Sequence, residues 1–305
     1  MVEKLVIRLV VPLLILSTAV GAQSLRIEMK KDRAEVYLEE QLVTAYCVNK
    51  KQKYPYFYPV NGPASHEGLT TAGTEPYPHH HSLFFGCDRV NGGNYWQDTL
   101  RAGQIISLSL QVEQGEGEVV TLHNECEWRQ PGKEPVLRDF RRISFSAPST
   151  ALRIIDFDIR LLSLTDLHIE KTNHSLFAAR MCPALSVDEG GTLINASGDQ
   201  GEKGSFGVPS PWCDYSGKRG ERVEGLAIFQ HPDNPLYPAP WFTRDYGFFS
   251  PTPLYWPPSD DGLRLKEGEE VRLRYRVVIH EGTAEEAGIA ALFEGYAHSD
   301  GNKVE

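Results

Sequence analysis

Histidines and aromatic rings are concentrated between Pro55 and Trp96, and their chemistry is that of proton transfer and ligand binding. Four histidines lie in this segment, and three of them, His79, His80 and His81, are consecutive. An imidazole exchanges a proton near neutral pH, and an aromatic face contacts the apolar surface of a ligand. We therefore expect this segment to form one wall of a binding or catalytic site.

The three consecutive histidines allow two kinds of chemistry. On a strand, His79 and His81 would share one face and His80 would point to the other, because side chains alternate. Two imidazoles at i and i+2 can chelate a divalent metal if a third ligand comes from elsewhere. That ligand would be Glu67, His231 or His280. The chain has no HExxH motif, so we expect acid/base or hydrogen-bonding roles and no cofactor, with a metal at His79 and His81 as the alternative.

Two later segments repeat the mixture of aromatic and polar side chains, one around Trp212 and one around Trp241. In carbohydrate sites, aromatic faces stack on the C–H face of a sugar ring, while arginine, histidine and carboxylate groups bond its hydroxyls. We predict that both segments and the histidine segment converge on one site. Its predicted catalytic residues are His79, His80, Arg244 and Asp214. Its predicted substrate-binding residues are Asn91, Trp96, Trp212, Tyr215, His231, Trp241 and Tyr246.

In such a site the histidines would transfer protons, and Arg244 and Asn91 would hold oxygen atoms. We therefore expect a carbohydrate-active enzyme, a lyase, hydrolase or epimerase acting on a glycoside or keto-sugar. Two other functions remain open, a carbohydrate-binding protein without chemistry and metal-dependent oxidation of a small molecule. Each tryptophan could instead pack in the core, and Cys87 could be a nucleophile or a small buried apolar residue.

The elements that must position these side chains are short β-strands. Runs such as LRIEM, AEVYL, QLVTAYCV, RRISFSA and LRIIDFDIRLLSL are rich in β-formers and are separated by turn residues, whereas residues 63–78 are typical of a loop. A capping box at Thr283 and Glu286 predicts one helix, Ala284 to Ala297. We predict an all-β fold, a large antiparallel β-sandwich with a C-terminal α-helix, in a single domain over residues 23–305.

The amino terminus is typical of an export signal. Lys4 and Arg8 flank the start of an apolar run, and small residues follow at 20–22, so we expect residues 1–22 to be a signal peptide and the protein to be periplasmic or extracellular. No later stretch is long and apolar enough to span a membrane. The net charge of −10 argues against nucleic-acid binding and favours a carbohydrate or other neutral small molecule. Five cysteines show no zinc-finger spacing, and the sequence leaves disulfide pairing and oligomeric state open.

Four motifs, PYFYPVNGP, PHHHSLFFGCDRVNGGNYW, WCDYSG and HPDNPLYPAPWFTRDYG, resemble those of exported bacterial proteins of the PmoA-like family, labelled methane oxygenase PmoA. The resemblance covers almost the whole predicted mature chain and includes every predicted site residue. It implies a β-sandwich of the galactose-mutarotase type and a carbohydrate role. The label itself fits poorly, since the membrane-bound methane oxygenase is a multi-helix copper protein. The chain departs from the family pattern at His81, at Phe242 and in the segment SPTPLYW.

Overall fold

The computed structural model describes residues 24–257 and 261–299, which form nineteen β-strands and two α-helices. The predicted signal peptide, residues 1–22, lies outside the described residues. Nine strands form one antiparallel sheet in the order β16-β17-β12-β5-β4-β3-β2-β1-β7. Their bounds are β1 Leu25–Met29, β2 Arg33–Leu38, β3 Gln41–Cys47, β4 Tyr56–Val60, β5 Leu83–Cys87, β7 Glu116–Gly117, β12 Ser175–Arg180, β16 Trp241–Arg244 and β17 Phe248–Pro251.

A second antiparallel sheet has eight strands in the order β13-β14-β15-β19-β10-β9-β8-β6, and β11 and β18 pair separately. The bounds are β6 Gln104–Gln114, β8 Val119–Arg129, β9 Leu137–Ser149, β10 Leu152–Ser163, β11 Leu167–Ile169, β13 Thr192–Asn195, β14 Trp212–Arg219, β15 Arg222–Gln230, β18 Leu263–Leu265 and β19 Glu270–Glu281. The predicted all-β antiparallel sandwich is therefore confirmed. No helix in the described ranges is long and apolar enough to cross a membrane.

Aromatic side chains from both sheets fill the space between them. Phe157 of β10 lies 5.9 Å, ring centre to ring centre, from Phe85 of β5 and 5.1 Å from Phe177 of β12. Phe177 in turn stacks on Tyr275 of β19 at 4.8 Å. Because side chains alternate along a strand, the neighbours of these inward residues point away from the core. The nine-stranded sheet thus presents a second, outer face that is free to carry a site.

The outer face of the eight-stranded sheet is covered at β14, β15 and β19 by the carboxyl-terminal helix α2, Ile289–Ala297. Phe293 and Tyr296 of this helix lie 5.6 and 6.1 Å from the ring of Phe229. The predicted capping box is present, since the backbone N–H of Thr283 donates to Glu286 over 2.8 Å. The helix nevertheless begins at Ile289, later than predicted. The other helix, α1, spans only Gly201–Ser205.

Candidate functional site

Six rings meet on the outer face of the nine-stranded sheet, where β5, β12 and β17 lie side by side. His79 and His80 come from the loop before β5, and their ring centres are 4.4 Å apart. His80 stacks between Tyr77 and Phe248 at 5.2 and 4.4 Å. The remaining two rings are those of Trp96 and His174. We call Tyr77, His79, His80, Trp96, His174 and Phe248 the histidine cluster.

Trp96 reaches the cluster because the loop after β5 lies directly against that strand. Its ring centre is 5.7 Å from that of His174 and 4.7 Å from that of Phe84. A Cβ at Gly86 would lie 2.7 Å from the carbonyl oxygen of Tyr95, so a larger residue there would push the loop away. Glycine at position 86 therefore places the indole over the sheet.

The loop that carries His79 and His80 is also attached to the opposite sheet. Glu224, at the start of β15, is fully buried, and its Oε1 accepts hydrogen bonds from the backbone N–H groups of Ala64 and Ser65 over 2.7 and 2.9 Å. Arg219 at the end of β14 pairs with Glu67 of the same loop. Glu67, which we considered as a third metal ligand, is thus part of this attachment and not of the histidine cluster.

His174 is the imidazole of the cluster that is best arranged for proton transfer. Its Nδ1 lies 2.9 Å from Oδ2 of Asp88, and the hydroxyl of Thr172 donates to the other oxygen of that carboxylate. An ionised carboxylate only accepts hydrogen bonds, so we assign the proton to Nδ1 and the lone pair to Nε2; the side-chain amide of Gln97 lies farther from the same Nδ1, at 3.3 Å. Nε2 has no hydrogen-bond partner within the described ranges, and the side chain is 22% exposed. The dyad therefore presents a basic nitrogen to a ligand.

His79 and His80 are neutral at physiological pH. Burial, the nearby His174 and His81 lower the pKa of His79 to about 4. Burial, followed by His79 and Arg180, lowers the pKa of His80 to about 2. An imidazole with so low a pKa is a weak base but a good hydrogen-bond partner. The geometry favours recognition for these two residues and proton transfer for His174.

His81 faces away from the cluster, contrary to the shared face that a strand would give it with His79. The segment forms turns, not a strand, apart from one isolated bridge between His81 and Ala72. The ring of His81 packs against Tyr54 and Tyr56, with ring centres 5.7 and 5.1 Å away. Among the described residues, no group of three or more His, Cys, Asp or Glu side chains is arranged to hold a metal ion.

Arg180, at the end of β12, forms the floor of the site beside the cluster. Its guanidinium carbon lies 4.3 Å from the ring centre of Tyr246 and 6.0 Å from that of Tyr77. These two tyrosines stack on each other at 4.8 Å. Nη1 donates to the backbone oxygen of Tyr246. The predicted binding residue Tyr246 is therefore at the site, on the hairpin between β16 and β17.

Arg244 is adjacent to this hairpin, and its charge is already compensated. Its Nη1 donates to Glu202 over 2.9 Å. Its guanidinium lies over the rings of Phe242 and Phe206 at 4.1 and 4.7 Å. Phe206 is 36% exposed and contacts Trp256 at 5.3 Å. The rings of Phe242 and Phe206 extend the aromatic surface of the cluster, because Phe242 contacts Phe248. Since Glu202 pairs with Arg244, this part of the site offers aromatic surface more than a free positive charge.

Two buried nitrogen atoms in the cluster have no hydrogen-bond partner among the residues that the structure describes. They are Nδ1 of His80 and Nε1 of Trp96, and Trp96 is fully buried. Buried polar groups are nearly always paired, so an unpaired one requires an explanation. Both atoms are buried by the protein itself, so a ligand would reach them only if the rings of the cluster moved.

Three predicted site residues do not reach this face. Trp212, Asp214 and His231 lie at the outer face of the eight-stranded sheet, against or near helix α2. Trp212 belongs to the apolar cluster beneath that helix, and His231 contacts Tyr296 at 5.1 Å. Asp214 bonds Nε2 of His280 over 2.6 Å, with both side chains fully buried. The predicted convergence of all three segments on one site is therefore wrong for these residues.

Three other predicted binding residues, Trp241, Tyr215 and Asn91, make contacts that hold the fold together. Trp241 is fully buried, stacks on Phe249 at 6.1 Å and donates from Nε1 to the backbone oxygen of Ser210. Tyr215 points into the core and donates to the backbone oxygen of Asp245 over 2.7 Å, which supports the hairpin of Tyr246. Asn91 occupies a tight turn with φ of 46° and accepts from the backbone N–H of His168.

Cys87 ends β5 and is fully buried in the core. Burial raises the pKa of its thiol well above the ordinary value, and the Asp88 charge adds to this shift. A thiol nucleophile acts as the thiolate, which this environment disfavours. Of the two roles that the sequence left open for Cys87, the structure favours the small buried apolar residue.

All residues of the candidate site lie in the part of the chain that matches a known family model. Residues 33–294 match the family model described as "Family of unknown function (DUF6807)". The chain belongs to DUF6807. No curated protein sequence matches the DUF6807 chain. The family match includes the histidine cluster, the Asp88–His174 dyad and Arg180, and it carries no PmoA label.

Two solved structures with similarity to the DUF6807 chain are sugar enzymes. Galactose 1-epimerase from Lactobacillus acidophilus NCFM has 10% identity and a TM-score of 0.44, over 85% of this chain and 98% of that one. A galactose mutarotase related enzyme from Lactobacillus acidophilus has 11% identity and a TM-score of 0.33, over 84% and 97%. These names describe those two enzymes, and the chemistry of the DUF6807 site follows from its own side chains.

Sequence reasoning did not name His174 and Arg180, which the structure places at the candidate site, and it named Asp88 only as one of several possible acidic partners. His174 is 86 residues from Asp88 along the chain, and only the pairing of β5 with β12 brings them together. A usable signal was present in the short polar run Thr172 to His174 directly before an apolar strand, which is a frequent location of functional side chains. Arg180 carries no local signal that separates it from a surface arginine.

Proposed function

We propose that the protein is a carbohydrate-active enzyme in which His174 moves a proton at a sugar substrate. The observation that carries the proposal is the Asp88-bound Nδ1 of His174, which leaves Nε2 available to a ligand amid the rings of His79 and Trp96. Nε2 would accept a proton from a sugar hydroxyl or from a carbon next to a carbonyl group. The Asp88 carboxylate would stabilise the resulting imidazolium.

The rings of the cluster support a carbohydrate as the ligand. Tyr77 and Tyr246 are half-buried and stacked, and they offer aromatic surface at the rim of the site. A lyase, a hydrolase and an epimerase all require such a proton transfer, and the substrate panel below distinguishes them. Export to the periplasm or beyond and kinship with PmoA-like proteins remain part of this proposal.

The decisive experiment compares turnover by the unaltered protein and by His174→Gln on free aldoses, glycosides and 3-keto-glycosides. Loss of the acid/base group should reduce kcat on the accepted substrate by about 10²–10⁴-fold. His123→Gln is the matched control, because His123 also pairs with a carboxylate, that of Glu113 at 2.6 Å, but lies on the exposed surface of β8. Absence of turnover across the panel, or equal turnover by His174→Gln, would refute the proposal.

A carbohydrate-binding role without chemistry is the second candidate, because the aromatic rim formed by Tyr77 and Tyr246 would serve it equally. It predicts saturable sugar binding that survives His174→Gln and weakens in Tyr246→Ala. Trp241→Ala, the variant that the sequence suggested for this purpose, is unsuitable because Trp241 is a core residue. Binding with no turnover of any substrate would establish this role in place of catalysis.

A further inference from the structure

Arg180 is a deeply buried positive charge that forms no ion pair with a carboxylate of the described residues. The side chain is 4% exposed. Its hydrogen bonds within the described ranges are limited to the one from Nη1 to the Tyr246 backbone. It forms no ion pair in those ranges, so Nε and Nη2 are left without protein acceptors. A buried charge of this kind is costly unless something else supplies the opposite charge.

The other deeply buried arginines show how this chain normally satisfies such a group. Arg141 makes two hydrogen bonds to the Asp139 carboxylate, and Arg274 pairs with Asp233. Arg153 donates to three backbone carbonyls. Arg180 has one carbonyl and the faces of two tyrosines. It is the exception, and it is also the one that lies in the candidate site.

The surroundings of Arg180 do not provide an internal counter-charge. Burial lowers the pKa of Arg180, and the Asp188 carboxylate raises it less than the neighbouring Tyr246, Tyr215 and Tyr77 do. Arg244, the arginine that the sequence favoured for holding an oxyanion, is occupied by Glu202. His80, directly beside Arg180, stays neutral and cannot contribute a negative charge. The missing partner of Arg180 must therefore come with the ligand.

We infer that the substrate is an acidic sugar, whose carboxylate binds the guanidinium of Arg180 while its hydroxyls bind the histidine cluster. An arginine fork matches a carboxylate in shape as well as in charge. This inference rests on the proposed function for the location of the sugar, and it replaces the neutral ligand that the overall negative charge of the chain suggested. Sugars of the uronic acid type have the required carboxylate on the ring.

Calorimetry with matched ligands tests the inference without any variant. Glucuronate and galacturonate are compared with glucose and galactose, and with the uncharged methyl esters of the two acids. The acids should bind on the order of tenfold to a hundredfold more tightly than the neutral sugars and the esters, as a charged hydrogen-bonded pair predicts. Equal binding of acid and ester, or no binding of any uronate, would overturn the inference.

Two arginine variants then show whether Arg180 causes the preference for acidic sugars. In Arg180→Gln the preference for acid over ester should disappear, whereas Arg153→Gln, the matched buried arginine outside the site, should retain it. Thermal unfolding of both variants shows whether each is folded. A neutral substrate whose kcat alone falls in Arg180→Gln would place the negative charge on an oxyanion formed during the reaction and would overturn a substrate carboxylate.

The two proposals fail in different ways. Tight uronate binding with turnover that does not depend on His174 would refute the proposed function and leave the recognition by Arg180 intact. Turnover of neutral sugars that depends on His174, without preference for acids, would refute the recognition and leave the proposed function intact.

Discussion

The buried pair of Asp214 and His280 should control stability and leave the proposed sugar chemistry unaffected. Both side chains are fully buried, and the atoms Oδ2 and Nε2 are 2.6 Å apart. Removal of one partner of a buried charged pair costs about 3–5 kcal/mol, because the other partner remains buried without compensation. Asp214→Ala should therefore lose this much free energy of unfolding, which corresponds to a fall in Tm of roughly 6–20 °C for a chain of this size.

The same pair should make the free energy of unfolding depend on pH, and the pKa of His280 fixes the direction of that dependence. Burial alone would lower the pKa of His280, but the Asp214 carboxylate and the hydrogen bonds to the backbone of Gly282 and Glu281 together outweigh it and raise the pKa above its ordinary value of 6.5. The stabilisation is then fully present below pH 6.5 and is lost as pH rises through the pKa of the folded state. In Asp214→Asn the carboxylate is absent and burial dominates. That variant should instead lose stability as pH falls below 6.5.

Urea denaturation followed by tryptophan fluorescence, at intervals between pH 5.5 and 8.5, measures both effects. His280→Gln should remove the pH dependence of the free energy of unfolding that the Asp214–His280 pair causes. A double variant with Asp214→Ala and His280→Gln shows how far the two single losses fail to add. A loss of less than 1 kcal/mol in Asp214→Ala, or the same pH slope with and without Asp214, would refute the reasoning. Sugar turnover per folded molecule should be unchanged, and a specific loss would return Asp214 to a catalytic role.

Three further substitutions give separate outcomes. Thr283→Ala removes the capping box with Glu286 and should lower the free energy of unfolding by about 1 kcal/mol, measured by urea denaturation. Trp241→Ala should cost about 3–5 kcal/mol by the same method, with sugar affinity per folded molecule unchanged in calorimetry, because the indole is a core group. His79→Gln should keep the shape of the pH–rate profile between pH 6 and 9, since the pKa of His79 is about 4; a shifted profile would show that His79 titrates there.

The strands could be predicted from the sequence because their signal is local. Alternation and β-branched runs located most of them, and Asn91-Gly92 forms the expected turn with positive φ at both residues. The start of the helix could not be predicted. Thr283 and Glu286 form the capping box, but Gly288 adopts a left-handed conformation with φ of 68°, and regular helix begins only after it. Nothing in the amino-acid pattern distinguishes that interruption from continuous helix.

The predicted residues are only partly brought together at the candidate site, and the positions of Trp212 and Asp214 have one physical cause. Strand β14 places Trp212 and Asp214 on one face and Tyr215 on the other. A sequence shows that alternate residues differ in direction, but it does not show which direction leads to the site when both faces of a sheet are covered. Helix α2 covers the outer face of β14. A tryptophan buried beneath this helix therefore has the same sequence pattern as a tryptophan that stacks on a ligand.

The attachment of the histidine loop to Glu224 has a consequence for when the candidate site forms during folding. The hydrogen bonds from Ala64 and Ser65 join residues that are 160 and 159 positions away from Glu224 in the chain. Contacts between residues so distant in sequence form late in folding, because the intervening chain must first be ordered. A nascent chain that has completed the first strands still lacks the group that fixes its histidines. Maturation of the site should therefore coincide with docking of the second sheet, and truncated chains that end before β15 should be inert.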